Sequence, residues 1–412
     1  MSVNGEGMHP THRQGIQLLV CCGIGFLCFF GAYMRIPVLP LFAASLGATP
    51  SQIGMINAAF MLSAGLLAIP SGLLSDRIGQ WPMLLAGLLT IACSSLLIPF
   101  CSGPLTMGGV YLLFGAGLAA FAPTMMSYVA NITPPSHLGR AYSFYTTAVY
   151  LGMTVGPAVG GFLGRAWGLG RVFWASGGTV LLALPFMLAF LSRADSRPFP
   201  EREHPSVWRA VTALMGNHRF VASLVGTLGG CFGFGMFVSF LPLHARAEGL
   251  NAGHVGMVFG MQALANVLLR IPLGRLSDRL NRGTMSTWGL ALLGVSLGTV
   301  GTFSGLVPLA ACAAVVGAGM GVSFTALGAL VAEVVSREER GLALGVYNSC
   351  IYLGMMVSSA TMGGVIHHVG FGWGFAVAGG GTLLATLLFH AGFRRATRAH
   401  RARTQDSPAN AP

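Results

Sequence analysis

The sequence predicts an all-α membrane protein of twelve transmembrane helices in two six-helix pseudo-repeats. Three observations carry that prediction. Only 8% of the 412 residues are charged while 54% are hydrophobic, against about 25% charged in an ordinary soluble chain. The mean hydropathy of +0.71 is spread along the chain rather than held in one block. Finally, segments of the two halves align at one constant offset of 202 residues, taken between positions 69 and 271.

The apolar runs are long and continuous, which suits helices that satisfy their own backbone groups and not the alternating ten-residue strands of a barrel. In order they are 16–43, 52–74, 83–101, 105–131, 141–164 and 171–192, then 219–245, 253–275, 285–304, 306–334, 342–366 and 372–393. The expected division is a cytoplasmic N-terminus (1–15), a six-helix bundle (16–192), a charged, Pro-containing linker (193–218), a second bundle (219–393) and a basic tail (394–412).

All 23 basic residues are arginines. Eighteen fall on the face shared by the two termini and three, Arg165, Arg171 and Arg246, on the other, with Arg35 and Arg270 inside spans. The positive-inside rule then places both termini in the cytoplasm, and the chain in the inner (plasma) membrane. The arginines sit in short breaks rather than on one solvated face, so no nucleic-acid partner is expected. The eight cysteines form no CxxC pair, and neither a metal site nor a cofactor is indicated.

The repeat is ungapped. "IPSGLLSDRI" at 69–78 matches "IPLGRLSDRL" at 271–280, "LPLFAASLGATPSQIGM" at 39–55 matches "LPLHARAEGLNAGHVGM" at 241–257, and "YLGM" at 150–153 recurs at 352–355. Two six-helix halves of the same orientation follow.

The loop after span 2, with Gly72, Asp76, Arg77 and Gly79, and the one after span 8, with Gly274, Asp278 and Arg279, resemble the signature loop of the major facilitator superfamily. The resemblance covers nearly the whole chain. It implies that Asp76 caps the start of span 11 near Gly341, and Asp278 the start of span 5 near Gly139. Such latches hold the outward-facing state. It also implies that the loop arginine pairs with an acid ending the fourth span of its half, a position that reads Asn131 in the first half and Glu333 in the second. The usual basic run after Gly79 is replaced by Gln80 and Trp81, and Asn281 stands where the second glycine would be.

Span 5 carries Gly152, Gly156, Pro157, Gly160 and Gly161, a pattern similar to the fifth-span signature of exporters in that superfamily. Small residues four apart let helices touch and proline kinks one of them, so tight packing alone also accounts for the pattern. Ser143 departs from it, and the second copy reads Ser358 and Ser359 where the Gly-Pro pair would stand.

No Asp or Glu lies in the middle of a span, so a coupling proton is allowed but not indicated. Glu333, His244 and His390 are the titratable candidates. Arg35 is the clearest intramembrane charge, costing about 3 kcal/mol on insertion scales. It either faces the cavity and binds an anionic group or snorkels to the headgroups. Arg270 is one turn from the terminus-side loop. Further cavity candidates are Asn57, Tyr145, Tyr150, Gln262, Asn266, Tyr347, Asn348 and Tyr352.

No Walker sequence, G-x-S-x-G elbow or HExxH pair is present, so neither an ATP-driven pump nor an enzyme is expected. The expected function is a monomeric secondary carrier working by alternating access and exporting a small lipophilic or amphipathic compound across the lipid bilayer. The alternatives are an importer or facilitator of a small organic anion using Arg35, or a non-transporting receptor on the same fold.

Overall fold

The computed structural model describes residues 12–191, 207–277, 281–335 and 340–405, with helices and connecting turns and no strand among them. Asp278 and Arg279 lie outside the described residues, as do the surroundings of Arg270 and Gly274.

In the first half, α1 (His12–Met34) and α2 (Val38–Ser45) together make one crossing, followed by α3 (Pro50–Ile78), α4 (Gln80–Leu97), α5 (Pro104–Ile132) and α6 (Leu138–Trp167). The sixth crossing is again split, into α7 (Leu169–Leu181) and α8 (Ala183–Phe190). A short α9 (Val207–Met215) occupies the connector, and the second half is α10 (His218–Ala247), α11 (Ala252–Ser277), α12 (Arg282–Val300), α13 (Leu306–Glu333) and α14 (Arg340–Gln405).

Proline explains the split crossings. Pro37 has no N–H to give the Tyr33 carbonyl, which instead accepts from Ile36 N at 3.2 Å, and the chain makes one turn before helix resumes. Pro185, four residues beyond the end of α7, likewise has no N–H to give the Leu181 carbonyl.

Among the described residues, ten helices are long and apolar enough to cross a membrane. One of them, Leu342–Arg398, runs 57 residues, or about 85 Å at 1.5 Å per residue, nearly three times a hydrocarbon core of about 30 Å. Gly370 breaks it with φ 78°, a conformation natural only to glycine. Gly374 then comes back against Ile366, so α14 is a hairpin of two crossings. With α12 the total is twelve.

Helix starts repeat at the sequence offset: Pro50 and Ala252, Gln80 and Arg282, Pro104 and Leu306, Leu138 and Arg340. The turn glycines obey it too, Gly47 with Gly249 and Gly168 with Gly370, all at positive φ. Large apolar side chains such as Leu105, Val307, Trp288 and Leu387 remain exposed around the bundle, where hydrocarbon is their solvent.

Glycine sets the closest contacts inside each half. Along α6, a Cβ at Gly152 would sit 2.8 Å from the Phe26 carbonyl oxygen and one at Gly156 2.8 Å from that of Phe30, while Gly160 abuts Met34. Those are parallel four-residue steps on two helices, so α1 and α6 run side by side at backbone contact.

Candidate substrate cleft

The two halves meet along α3 with α14 and α6 with α11. Their separation changes with depth. On α3, Gly54 lies against the Ser359 carbonyl and Gly65 against Tyr352, whereas a Cβ at Gly72 would meet nothing within 4 Å. The same holds on α6, where Gly161 touches Gly256 but Gly139 is open, and on α14, where Gly363 touches Pro50 and Ser51 but Gly345 is open. The cleft is therefore closed at the face away from the termini and open at the terminus face. Arg246 Nη1 reinforces the closed end by donating to the Leu41 carbonyl at 3.4 Å.

Aromatic rings line the closed half of the cleft. Tyr352 of α14 meets Phe60 of α3 edge-on at 6.3 Å, and Phe60 stacks on Phe114 of α5 at 4.7 Å. Tyr33 of α1 lies within electrostatic reach of both Tyr150 of α6 and Tyr352 of α14. Asn57, on the α3 face that carries Gly54 and Met61, is 6% exposed and its Nδ2 has no acceptor among the described residues.

Arg35 does not reach the cleft surface, nor does it snorkel. At the α1–α2 break its side chain is 0% exposed, enclosed by α4 and α5. Nη1 donates to Ser94 Oγ at 3.2 Å, and the guanidinium carbon stands 3.2 Å from the Phe114 ring centroid and 5.4 Å from that of Tyr111. Its Nε and Nη2 have no hydrogen-bond partner among the described residues. Aromatic faces supply what no carboxylate is there to supply.

The other sequence candidates divide. Tyr145 is 2% exposed with its ring against Gly25 of α1, and Tyr347 is 7% exposed and donates to the Phe324 carbonyl at 3.4 Å; both sit in the packed interior of their halves. Gln262 reaches Met320 Sδ at 3.6 Å, and the Gln262 and Asn266 backbones pack on Gly317 and Gly321 of α13. Asn348 is exposed where the cleft has opened. His244 is buried between Phe371 and Phe375 with Nε2 3.3 Å from the Phe303 carbonyl oxygen, and His390 Nδ1 lies 3.2 Å from Thr287 Oγ1. Sequence reasoning missed Tyr33, Phe60 and Phe114. Phe60 could have been found as the residue three after Asn57 on one helical face.

At the terminus face, Asp76 is half-buried and makes no ion pair or hydrogen bond among the described residues, and Arg77 is exposed. Gly79 turns the chain at φ 94°. Glu333 accepts from Arg282 Nη1 at 3.0 Å, while Asn131 donates to Gln80 Oε1 at 3.0 Å and Gln80 donates to Ser127 Oγ at 2.6 Å.

Twelve crossings in two halves whose helix starts repeat at one offset, parted by a cleft that is closed at one end, define a membrane transporter rather than an enzyme. The chain belongs to the Major Facilitator Superfamily, whose family model matches residues 21–255 and 224–411. An uncharacterized MFS-type transporter of Methanocaldococcus jannaschii is 25% identical over 345 residues, 83% of this chain and 86% of that one. Multidrug resistance protein 2 of Bacillus subtilis is 28% identical over 158 residues, 38% of this chain and 39% of that protein. Quinolone resistance protein NorA of Staphylococcus aureus is 27% identical over 138 residues, 34% and 36% of the two chains.

Among solved structures, a bacterial homolog of the human lysosomal transporter Spinster, in an inward-facing and unoccupied conformation, has TM-score 0.73 at 16% identity over 97% of this chain and 100% of its own. The nucleoside transporter NupG has TM-score 0.76 at 14% identity over 92% of this chain and 100% of its own. At such identities the likeness is one of fold.

Proposed function

We propose that this transporter works by alternating access and exports a small lipophilic or amphipathic compound from the cytoplasm. The arginine excess at the terminus face supports placing that face, and hence the open end of the cleft, inside the cell. The observation that carries the substrate class is the ring-lined cleft formed by Tyr33, Phe60, Tyr150 and Tyr352 in a chain with no mid-span carboxylate. Such a surface rewards apolar area and ring stacking and offers no counter-charge to an organic cation. The partial matches to two drug-resistance proteins agree with export.

The test is flux in liposomes of defined orientation, with neutral, anionic and cationic lipophilic dyes and with imposed pH and voltage gradients. Export is expected for neutral dyes, and accumulation only in the opposite direction, or no flux for any dye, overturns it. A second reading, transport of a small organic anion, rests on the buried Arg35 guanidinium with two unpartnered N–H sites. It requires Phe114 to swing aside, and predicts that Arg35→Gln abolishes flux of anions while sparing neutral dyes.

A further inference from the structure

A groove on the outer surface of the second half is built like a lipid site. One wall is the stripe His218, Val221 and Val225 on the first two turns of α10, and the other is Leu388, Gly392 and Arg395 near the end of α14. It encloses about 510 Å³. The helices approach closely at its floor, where a Cβ on Gly392 would lie 3.6 Å from that of Ala222. Its deep end is apolar and opens onto the lipid-facing surface, with Leu388 57% exposed.

The shallow end is cationic. His218 and Arg395 stand on opposite walls, and Arg219, Arg394 and Arg398 flank them. None of these has a carboxylate partner among the described residues. Arg219 stacks 5.3 Å from the Phe393 ring centroid with Nε buried and unbonded, and Arg394 Nη1 lies 3.4 Å from His390 Nε2. The first turn of α10, which begins at His218 after the Asn217 cap, adds its positive dipole end.

The first half serves as an internal control. At the 202-residue register Gly392 corresponds to Phe190, and His218 and Arg219 correspond to Ile16 and Gln17, while Arg395 corresponds to Arg193. The first half thus keeps one arginine of the set but neither the histidine nor the small residue at the floor.

We propose that this groove binds an anionic phospholipid from the leaflet at the terminus face, its phosphate between His218 and Arg395 and an acyl chain along Val221, Val225 and Leu388. An apolar trough about 12 Å long, from eight residues of helix at 1.5 Å each, with arginines at its headgroup end that have no carboxylate partner among the described residues, matches one lipid better than a soluble anion.

The experiment is native mass spectrometry of the delipidated full chain with added phosphatidylglycerol or phosphatidylcholine, and with inorganic phosphate as competitor. Phosphatidylglycerol is expected to bind about tenfold tighter, Arg395 and Arg219 near the surface contributing a few-fold each. Arg395→Gln with His218→Gln should remove that preference, and Gly392→Phe, which fills the trough and keeps every charge, should reduce retention of the lipid. Equal retention of both lipids overturns the site. So does unchanged retention in Gly392→Phe, which would mark a diffuse basic surface, and so does displacement by millimolar phosphate. The exposed Arg395→Gln change alone keeps the test open should Gly392→Phe fail to fold.

Discussion

Asn131 donates to Gln80 Oε1 at 3.0 Å in the place where, 202 residues further on, Glu333 accepts from Arg282 at 3.0 Å. One backbone position on each half thus ties the loop after the second crossing to the end of the fourth, with amides in one half and an ion pair in the other. Burial differs as much as charge. Gln80 is 2% exposed, whereas the Arg282 and Glu333 side chains are 29% and 49% exposed.

The neutral pair should therefore matter more to stability. Asn131→Ala strands a buried carboxamide oxygen and is expected to cost about 1–3 kcal/mol, while Glu333→Gln breaks a solvated ion pair worth about 0–1 kcal/mol. Thermal unfolding of both variants in detergent checks the order. A larger loss for Glu333→Gln would contradict it.

Arg35 should be dispensable for folding. Enclosing an unpaired guanidinium costs several kcal/mol, against about 2 kcal/mol from a desolvated ring contact and about 1 kcal/mol from the Ser94 hydrogen bond. Arg35→Met is expected to melt at the same temperature or higher. Arg35→Lys, which keeps a charge but loses the planar stack on Phe114, should melt lower than both.

Closure at the far face depends on backbone contact between halves. A Cβ at Gly161 would stand 2.6 Å from Gly256 Cα, so Gly161→Val should hold that end apart. Spin labels on Ala48 and Ala247 should then report longer distances than in the parent protein, with expression unchanged.

Arg246→Gln removes the charged donor to the Leu41 carbonyl and should shift the balance of states by about 1 kcal/mol, or roughly fivefold, toward opening at that face. Solvent access to a cysteine placed at Ala48 measures it. No change in labelling rate would mean that the hydrogen bond is not part of closure.

Asp76 makes no hydrogen bond or ion pair among the described residues, so Asp76→Asn should leave its melting temperature within about 0.5 kcal/mol equivalents while slowing transport, if the latch forms only when the terminus face closes. Unaltered flux would leave the latch without a role.

The halves and their register were legible in the sequence because each is a periodic signal, and the turn glycines Gly168 and Gly370 keep the same 202-residue spacing. The cleft was harder. Asn348 and Tyr352 share a helical face, yet Asn348 is exposed and Tyr352 meets Phe60, because depth along the cleft, not face, decides which position still has a partner across it. Tyr145 looks like a polar lining residue until Gly25, on a helix 120 residues earlier in the chain, is seen to make room for its ring. The stack from Arg35 through Phe114 and Phe60 to Tyr352 joins four helices at no fixed spacing, and no pattern in one dimension announces it.

Where Gly161 meets Gly256, the two halves touch backbone to backbone, with no side chain among the atoms nearest the glycine. A joint without interlocking knobs can slide or part without any rotamer having to change first. Friction along it is low, and the work of separation falls on the rim, where Arg246 holds Leu41. Substitutions at that rim should tune the rate of turnover continuously, while any bulk added at the glycine joint should act as an on–off change.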